Sequence, residues 1–362
     1  MSGPLAGIRI IEFAGLGPAP FAGMMLADHG AEVIRIDRPG VQLASTDPLL
    51  RSRRSVVLDL KKPADVARCR DLCGVADAVI EGFRPGTMER LGLGPEVLLA
   101  DNPALVYGRM TGWGQEGPLA DTAGHDIDYI AVSGTLALCG AAGCKPAAPL
   151  NLVGDFGGGG MMLAFGVASA LLAVRAGRGG QVVDCAMTDG SALLAAMMWG
   201  FRADGTWQEE RGVNLLDGGA PFYDTYETAD GGFIAIGAIE PQFYERFRQL
   251  AGIANDPLFD DQDDRSMWPL QKAALSRLFA SRDRAEWEMI FRGSDACVAP
   301  VLTMSEATRH PHNVERQTFV SIEGHFQPAP APRYSKTPCA PPRAVPFAGA
   351  DNHLVAVGLG ES

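Results

Sequence analysis

The sequence predicts an α/β protein: a parallel sheet with crossover helices, followed by a smaller α+β unit. Three observations carry that prediction. Short β-branched runs alternate with helical stretches through the first two hundred residues, the pattern of strand–helix–strand units. The alternation then breaks at DGTWQEERGVNLLDGGAP, a polar, turn-rich stretch. Beyond it, Ala229-Asp230-Gly231-Gly232 sits between period-two runs as a hairpin signal, and three amphipathic stretches follow.

GIRIIEF reads as the first strand, PAPFAGMMLADHG as a helix and AEVIRID as the next strand. SVVLDL, ADAVIEGF and ALVYGRM continue the series, separated by helical stretches at 63–73 and 85–100. A long helix over about 160–176 stops at Gly177-Arg178-Gly179-Gly180, where glycine suits a helix end. The strand QVVDCAM and a helix over roughly 188–201 complete the large unit. In the small unit, helices are expected near 241–253, 268–281 and 284–293, then the strand CVAPVLTM. The expected division is 1–200 for a large domain, 201–222 for a linker and 223–304 for a small α+β domain. Residues 305–362, rich in Pro and His at first, are expected as a return linker and a C-terminal part of the large domain.

A net charge of −12 over 362 residues excludes nucleic acid as the main partner, because phosphate neutralisation needs a basic surface. Within this acidic chain, residues 31–90 carry a slight excess of Lys and Arg, enough to receive a small anionic ligand. MSGPLAGIRIIEF shows no signal-peptide pattern, VGLGES no peroxisomal tripeptide, and the apolar run Met161 to Val174 is too short to span a bilayer. Seven cysteines without framework spacing fit reduced thiols in a cytoplasmic protein. Neither Cys69 with Cys73, nor Cys139 with Cys144, nor His310 with His312 has further ligands nearby in sequence, so no metal site is expected.

The first strand leads into Gly15-Leu16-Gly17-Pro18-Ala19-Pro20, and Asp37 ends the second strand, which together imitate a dinucleotide fingerprint. Pro20 stands where glycine or alanine belongs, and Pro18 and Pro20 remove amide donors, so nicotinamide dinucleotide is disfavoured. Arg38, Arg53, Arg54, Lys61, Arg84 and Arg90 are instead cations for another phosphorylated nucleotide, although each alone reads as a solvated charge.

Three residues are candidates for proton transfer. His125, in AGHDIDY, precedes an apolar-periodic stretch, and the dipole of a helix start favours a neutral, base-competent imidazole. Asp155, in NLVGDFGGGG, reads most simply as the N-cap of the helix at 160. Its four following glycines exceed what a cap needs and point to something packed against the backbone. Glu240, in AIEPQFY, precedes a proline at a helix start, where an acid complements the dipole in any case. Met161, Met162, Met187, Met197 and Met198 offer a soft surface suited to varied acyl chains.

LADHGAEVIRIDRP, RRSVVLDLK, VIEGFRPGTMERLGLGP, GRMTGWGQEGPLA, AGHDIDY, NLVGDFGGGG, GAIEPQFY and CVAPVL occur in that order over nearly the whole chain. Together they resemble the family III CoA-transferase superfamily and, within it, the α-methylacyl-CoA racemases. The resemblance implies a Rossmann-like large domain built from both chain ends, a small domain from the middle, and an obligate homodimer of interlocked rings. It implies CoA contacts at Arg38, at Leu58, Asp59, Leu60 and Lys61, at Gly82, Phe83 and Arg84, at Arg90, and at Gly124, Asp126, Ile127, Asp128 and Tyr129. Leu58 varies across the family, so its contact would run through backbone. Gly82 stands where many of the transferases carry asparagine. It further implies that His125 and Asp155 face opposite sides of C2 of a 2-methylacyl-CoA and interconvert its 2R and 2S forms through an enolate. Glu240 of the partner would hydrogen-bond His125. No cofactor is required, since CoA is part of the substrate, and no membrane or nucleic acid is a partner. The alternatives are a family III CoA-transferase with Asp155 as nucleophile, and a noncatalytic acyl-CoA binder.

Overall fold

The computed structural model describes residues 2–357, so most of the VGLGES end lies outside the described residues. Six strands form one sheet: β1 (Arg9–Phe13), β2 (Glu32–Asp37), β3 (Arg54–Val57), β4 (Ala78–Glu81), β5 (Val106–Thr111) and β6 (Gln181–Ala186). Their order is β3-β2-β1-β4-β5-β6, with every neighbouring pair parallel. Parallel strands covered on both faces need apolar side chains at successive positions. β1 supplies them: Ile10 belongs to the core on one side of the sheet and Ile11 to the core on the other, both fully buried.

Crossovers carry α1 (Pro18–Asp28), α2 (Pro63–Gly74), α3 (Thr87–Arg90), α4 (Pro95–Asp101) and α5 (Asp126–Val132). Between β5 and β6 the chain also forms a π-helical segment, Leu152–Met161, running directly into α6 (Met162–Arg175). After β6 come α7 (Met187–Leu194) and α8 (Ala196–Ala203). The helix expected from 160 therefore starts eight residues earlier, and Asp155 lies inside a helical turn instead of capping one. The combined stretch Leu152–Arg175 is 24 residues, longer than its apolar run indicated, and contains an 18-residue window of mean hydropathy 1.7, enough by length and composition to cross a bilayer. Its inner face packs on the sheet, where Leu163, Val167, Ala170 and Leu171 are buried.

The chain divides into two compact units, Met1–Thr135 with Pro149–Ala196 and Pro311–Ser362, and Leu136–Ala148 with Met197–His310. In the second, β7 (Tyr223–Glu227), β8 (Phe233–Gly237) and β9 (Val298–Pro300) form an antiparallel sheet in that order. The helices α9 (Pro241–Ala251), α10 (Trp268–Phe279) and α11 (Arg284–Phe291) belong to the same unit, whose core is aromatic: Phe222, Phe247, Phe279, Trp287 and Phe291 are all buried. This unit takes in Leu136–Ala148, which no periodicity marks, and residues 201–222, expected as a linker. The return stretch holds α12 (Met304–Ala307), α13 (Pro311–Glu315) and an antiparallel hairpin of β10 (Phe319–Ile322) and β11 (His325–Pro328), before α14 (His353–Val357).

Two devices position the first unit's sheet. The outer edge of β3 is covered by the C-terminal segment: Ser55 N–H donates to Asp351 Oδ2 (3.0 Å) and Val57 N–H to Asn352 Oδ1 (2.8 Å). Pairing the edge removes an exposed ladder. Inside the sheet, Arg53 Nε donates to Glu12 Oε2 (2.8 Å), and both side chains are almost wholly buried. Arg53 also donates to the carbonyls of Arg51 and Pro20. It is therefore spent on the fold and is not the phosphate-binding cation that the sequence offered. Arg54 is likewise engaged, by Glu32 and Asp351.

Candidate active site

Strand order reverses between β1 and β4, and ligands of open α/β sheets bind at such a switch point beyond the carboxyl ends of the strands. A cavity of about 340 Å³ opens there. Its walls come from Leu16–Pro18 after β1, Gly82–Pro85 after β4 and Met110–Trp113 at the end of β5, together with Gly124, His125, Tyr129, Asp155 and Met187. A second cavity of about 510 Å³ is lined by Arg38, Leu58, Asp59, Leu60 and Lys61. Leu16 and Phe83 wall both cavities, so the two adjoin.

His125 is exposed at the N-cap of α5 with extended backbone (φ −131°, ψ 175°), and its N–H donates to Asp128 Oδ2 (2.9 Å). Asp128 therefore closes the helix start. The Gly112 and Gly124 backbones let Tyr129 lie flat beneath this loop, since a Cβ at either would collide with its ring. Tyr129 donates through its hydroxyl to the Gly124 carbonyl and meets Trp113 edge-on at 4.8 Å. Trp113 and its neighbours at the end of β5 were missed from sequence. Their position at a strand's carboxyl end beside the switch point is the signal that finds them.

Asp155 is half-buried on the π-helical segment, with Asn151 Nδ2 donating to its Oδ2 (3.1 Å). Burial raises its pKa above the ordinary carboxylate value; Asn151 opposes the shift, Asp126 adds to it, and His125 lowers it. An electrostatic effect of His125 on Asp155 is what two groups sharing one cavity require. What packs against the following glycines is protein: α7 lies on Gly158, and α1 on Gly159 and Gly160.

Below the cavity, buried Glu81 accepts the Phe83 N–H (2.7 Å) and Arg109 Nε (3.0 Å). Burial pushes its carboxyl up to about 7 against those two donors. This carboxylate holds the turn that presents Phe83 and Arg84. Asp37, at the position of a ribose-binding acid, is 1% exposed and engaged by Ser55 Oγ (2.7 Å) and Arg35 Nη1 (3.0 Å).

The structure thus brings together His125, Asp155, Gly82, Phe83, Arg84, Gly124 and Tyr129 on one cavity and Arg38 with Leu58–Lys61 on its neighbour. Leu58 itself is 3% exposed. Four expected CoA contacts wall neither cavity. Arg90 is exposed and donates to Thr87 Oγ1; Ile127 faces solvent; Asp128 is occupied with His125 N–H; Asp126 is turned inward and buried. Glu240 belongs to the second unit, exposed at the N-cap of α9, with no hydrogen bond or ion pair from its carboxylate among the described residues.

The profile of CoA-transferase family III matches residues 5–352. The chain belongs to CoA-transferase family III. Two family members named alpha-methylacyl-CoA racemase are each 48% identical to it. The alignment to the Mus musculus protein covers 93% of this chain and 88% of that one; to the Homo sapiens protein, 95% and 90%. A similar fold is seen in the crystal structure of Rv3272 from M. tuberculosis, at TM-score 0.81 and 28% identity over 98% of this chain and 99% of that one. That protein is named a probable fatty acyl-CoA transferase.

Proposed function

We propose that this family III chain is an α-methylacyl-CoA racemase, interconverting (2R)- and (2S)-2-methylacyl-CoA. The observation that carries the reading is the pairing of His125 with Asp155 on one cavity, with Asp155 biased toward its protonated form. A racemising pair needs one proton between two groups, one acting as base while the other acts as acid. Neutral His125 takes the C2 proton from one face, and protonated Asp155 returns one to the other. The reverse reaction exchanges the roles. The enolate formed between the two steps places charge on the thioester oxygen. The N–H groups of Asp126 and Ile127 at the start of α5, which have no partner among the described residues, are its donors. Proton transfer of this kind needs no separate cofactor, and CoA arrives with the substrate.

The CoA portion runs along the adjoining cavity, with Arg38 and Lys61 meeting phosphate oxygens. Replacing Arg38 by Ala is expected to raise KM for the acyl-CoA about tenfold with kcat little changed. Saturation kinetics check this, and an unchanged KM places the phosphates elsewhere.

Two copies interlock in the proposed homodimer, and Glu240 of the partner subunit reaches His125. In its favour, Met161, Phe165 and Leu172 lie within a narrow sector of α6 and its leading turn and are 49%, 72% and 68% exposed. Phe165→Asp is expected to prevent assembly; sedimentation of a soluble, active monomer of the unaltered chain rules the dimer out. All seven cysteines are free, which suits the reducing cytoplasm proposed as its compartment.

The test is proton NMR of (2S)-2-methylacyl-CoA in heavy water: exchange and epimerisation at C2, without an acceptor acid, support racemisation. Hydroxylamine capture of an acyl group on Asp155, without C2 exchange, supports the transferase that other family members exemplify.

A further inference from the structure

We infer that Asp126 is a positioning residue that ties the two acid/base groups together, its carboxylate holding the segment of Asp155 while its backbone carries the helix start of His125. The inference rests on the racemase reading and assigns a role to a side chain that the sequence placed among CoA contacts.

Asp126 immediately follows His125 as the first residue of α5 and is 8% exposed. Its Oδ1 accepts the backbone N–H of Asp155 at 2.7 Å, across 29 residues of sequence. The approach is possible because residue 154 is glycine, where a Cβ would fall onto Asp126 Oδ1. The other carboxylate oxygen, Oδ2, is buried without a hydrogen-bond partner among the described residues. Burying half a carboxylate unpaired is costly. A neutral side chain with one acceptor would hold the Asp155 amide as well, without burying a charge. What the carboxylate adds is a negative charge beside Asp155, which opposes ionisation of its neighbour.

Among the charged groups around Asp155, Asp126 is the one that adds to the effect of burial. Burial is the largest cause that raises the pKa of Asp155; from α5, His125 lowers it and Asp126 raises it further, while Tyr129 feels the charge of Asp155 in turn. Asn151 donates from its own segment, and α1 approaches through uncharged Gly17. Asp189 on α7 and Asp184 on β6 act on Cys185. Asp126 therefore does two separable things: it fixes where Asp155 stands, and it helps to keep a proton there.

Two substitutions separate them. Asp126→Ala removes both acceptor and charge; Asp126→Asn keeps an acceptor for the Asp155 amide and removes the charge. With (2S)-2-methylacyl-CoA in heavy water, Asp126→Ala is expected to lose about a hundredfold in inversion, with KM within about threefold of wild type. Exchange with retention on the His125 face persists, so the ratio of exchange to inversion rises. Asp126→Asn is expected to recover at least about a tenth of the wild-type kcat, and to move the acid limb of its pH profile to lower pH. An Asp126→Asn profile with the wild-type acid limb overturns the inference, as does an Asp126→Ala variant that inverts at the wild-type rate. Failure of the unaltered chain to exchange C2 at all is a different result, and it removes the racemase reading itself.

Discussion

Replacing either His125 or Asp155 by alanine is expected to slow the interconversion of (2R)- and (2S)-2-methylacyl-CoA at least about a thousandfold. Both side chains wall the same cavity, so each mutation leaves the other group in place. The two variants should therefore differ in a telling way. His125→Ala leaves exchange on the face served by Asp155, and Asp155→Ala leaves exchange on the face served by His125, each with retention of configuration. NMR in heavy water separates exchange from inversion in one experiment. Wild-type racemisation by both variants would remove the pair from the reaction.

The same pair sets the pH dependence. Doubly protonated, it has no base; fully deprotonated, it has no acid. Activity follows a bell whose limbs belong to the pair as a whole. The two working forms, protonated Asp155 with neutral His125 and the converse, carry the same number of protons, so both reaction directions share one profile. The raised pKa of Asp155 shifts the acid limb above where an ordinary carboxylate would set it, and activity is lost as pH falls through it. A flat rate down to ordinary carboxylate values would contradict the assignment.

Gly190→Ala is expected to destabilise the fold by about 3 kcal/mol, the upper part of the range for overpacked interiors. A Cβ on Gly190 would occupy the space of the Gly158 carbonyl, and a Cβ on Gly158 would come within 2.6 Å of Ser191 N. Both obstacles are backbone, so no side chain can swing aside. Retreat of the π-helical segment is blocked in turn, because a Cβ at Gly159 would lie 3.0 Å from Pro18 and one at Gly160 2.7 Å from Phe21. Any accommodation must move Asp155, so activity should fall well below the temperature of unfolding. Urea denaturation and kinetics on one preparation check both halves; an unchanged midpoint with full activity would show that the helices are free to separate.

These glycines show where the sequence was legible and where it misled. GDFGGGG announced a close approach of backbone, which is correct, since nothing larger than hydrogen fits at Gly158 and Gly160. A glycine run does not say what approaches. Here it is α1 and α7, and the chain between them winds as a π-helix that carries Asp155 in mid-turn. The candidate cations illustrate the same limit. Arg38 and Arg53 look alike in sequence, but Arg53 is matched to a carboxylate 41 residues away inside the sheet, whereas Arg38 is exposed at a cavity wall. Asp126 read as one of several polar residues in a loop, because its partner lies 29 residues on.

Periodicity by itself determined the parallel strands, the crossover helices and the antiparallel hairpin, since each depends on which side of a local element meets water. It also placed an imidazole before a helix and a carboxyl among glycines. Only the folded chain decided that those two groups share a cavity, and which charges are consumed in holding it open. Such pairings join residues far apart in sequence, and packing of whole elements, not local preference, sets their distances.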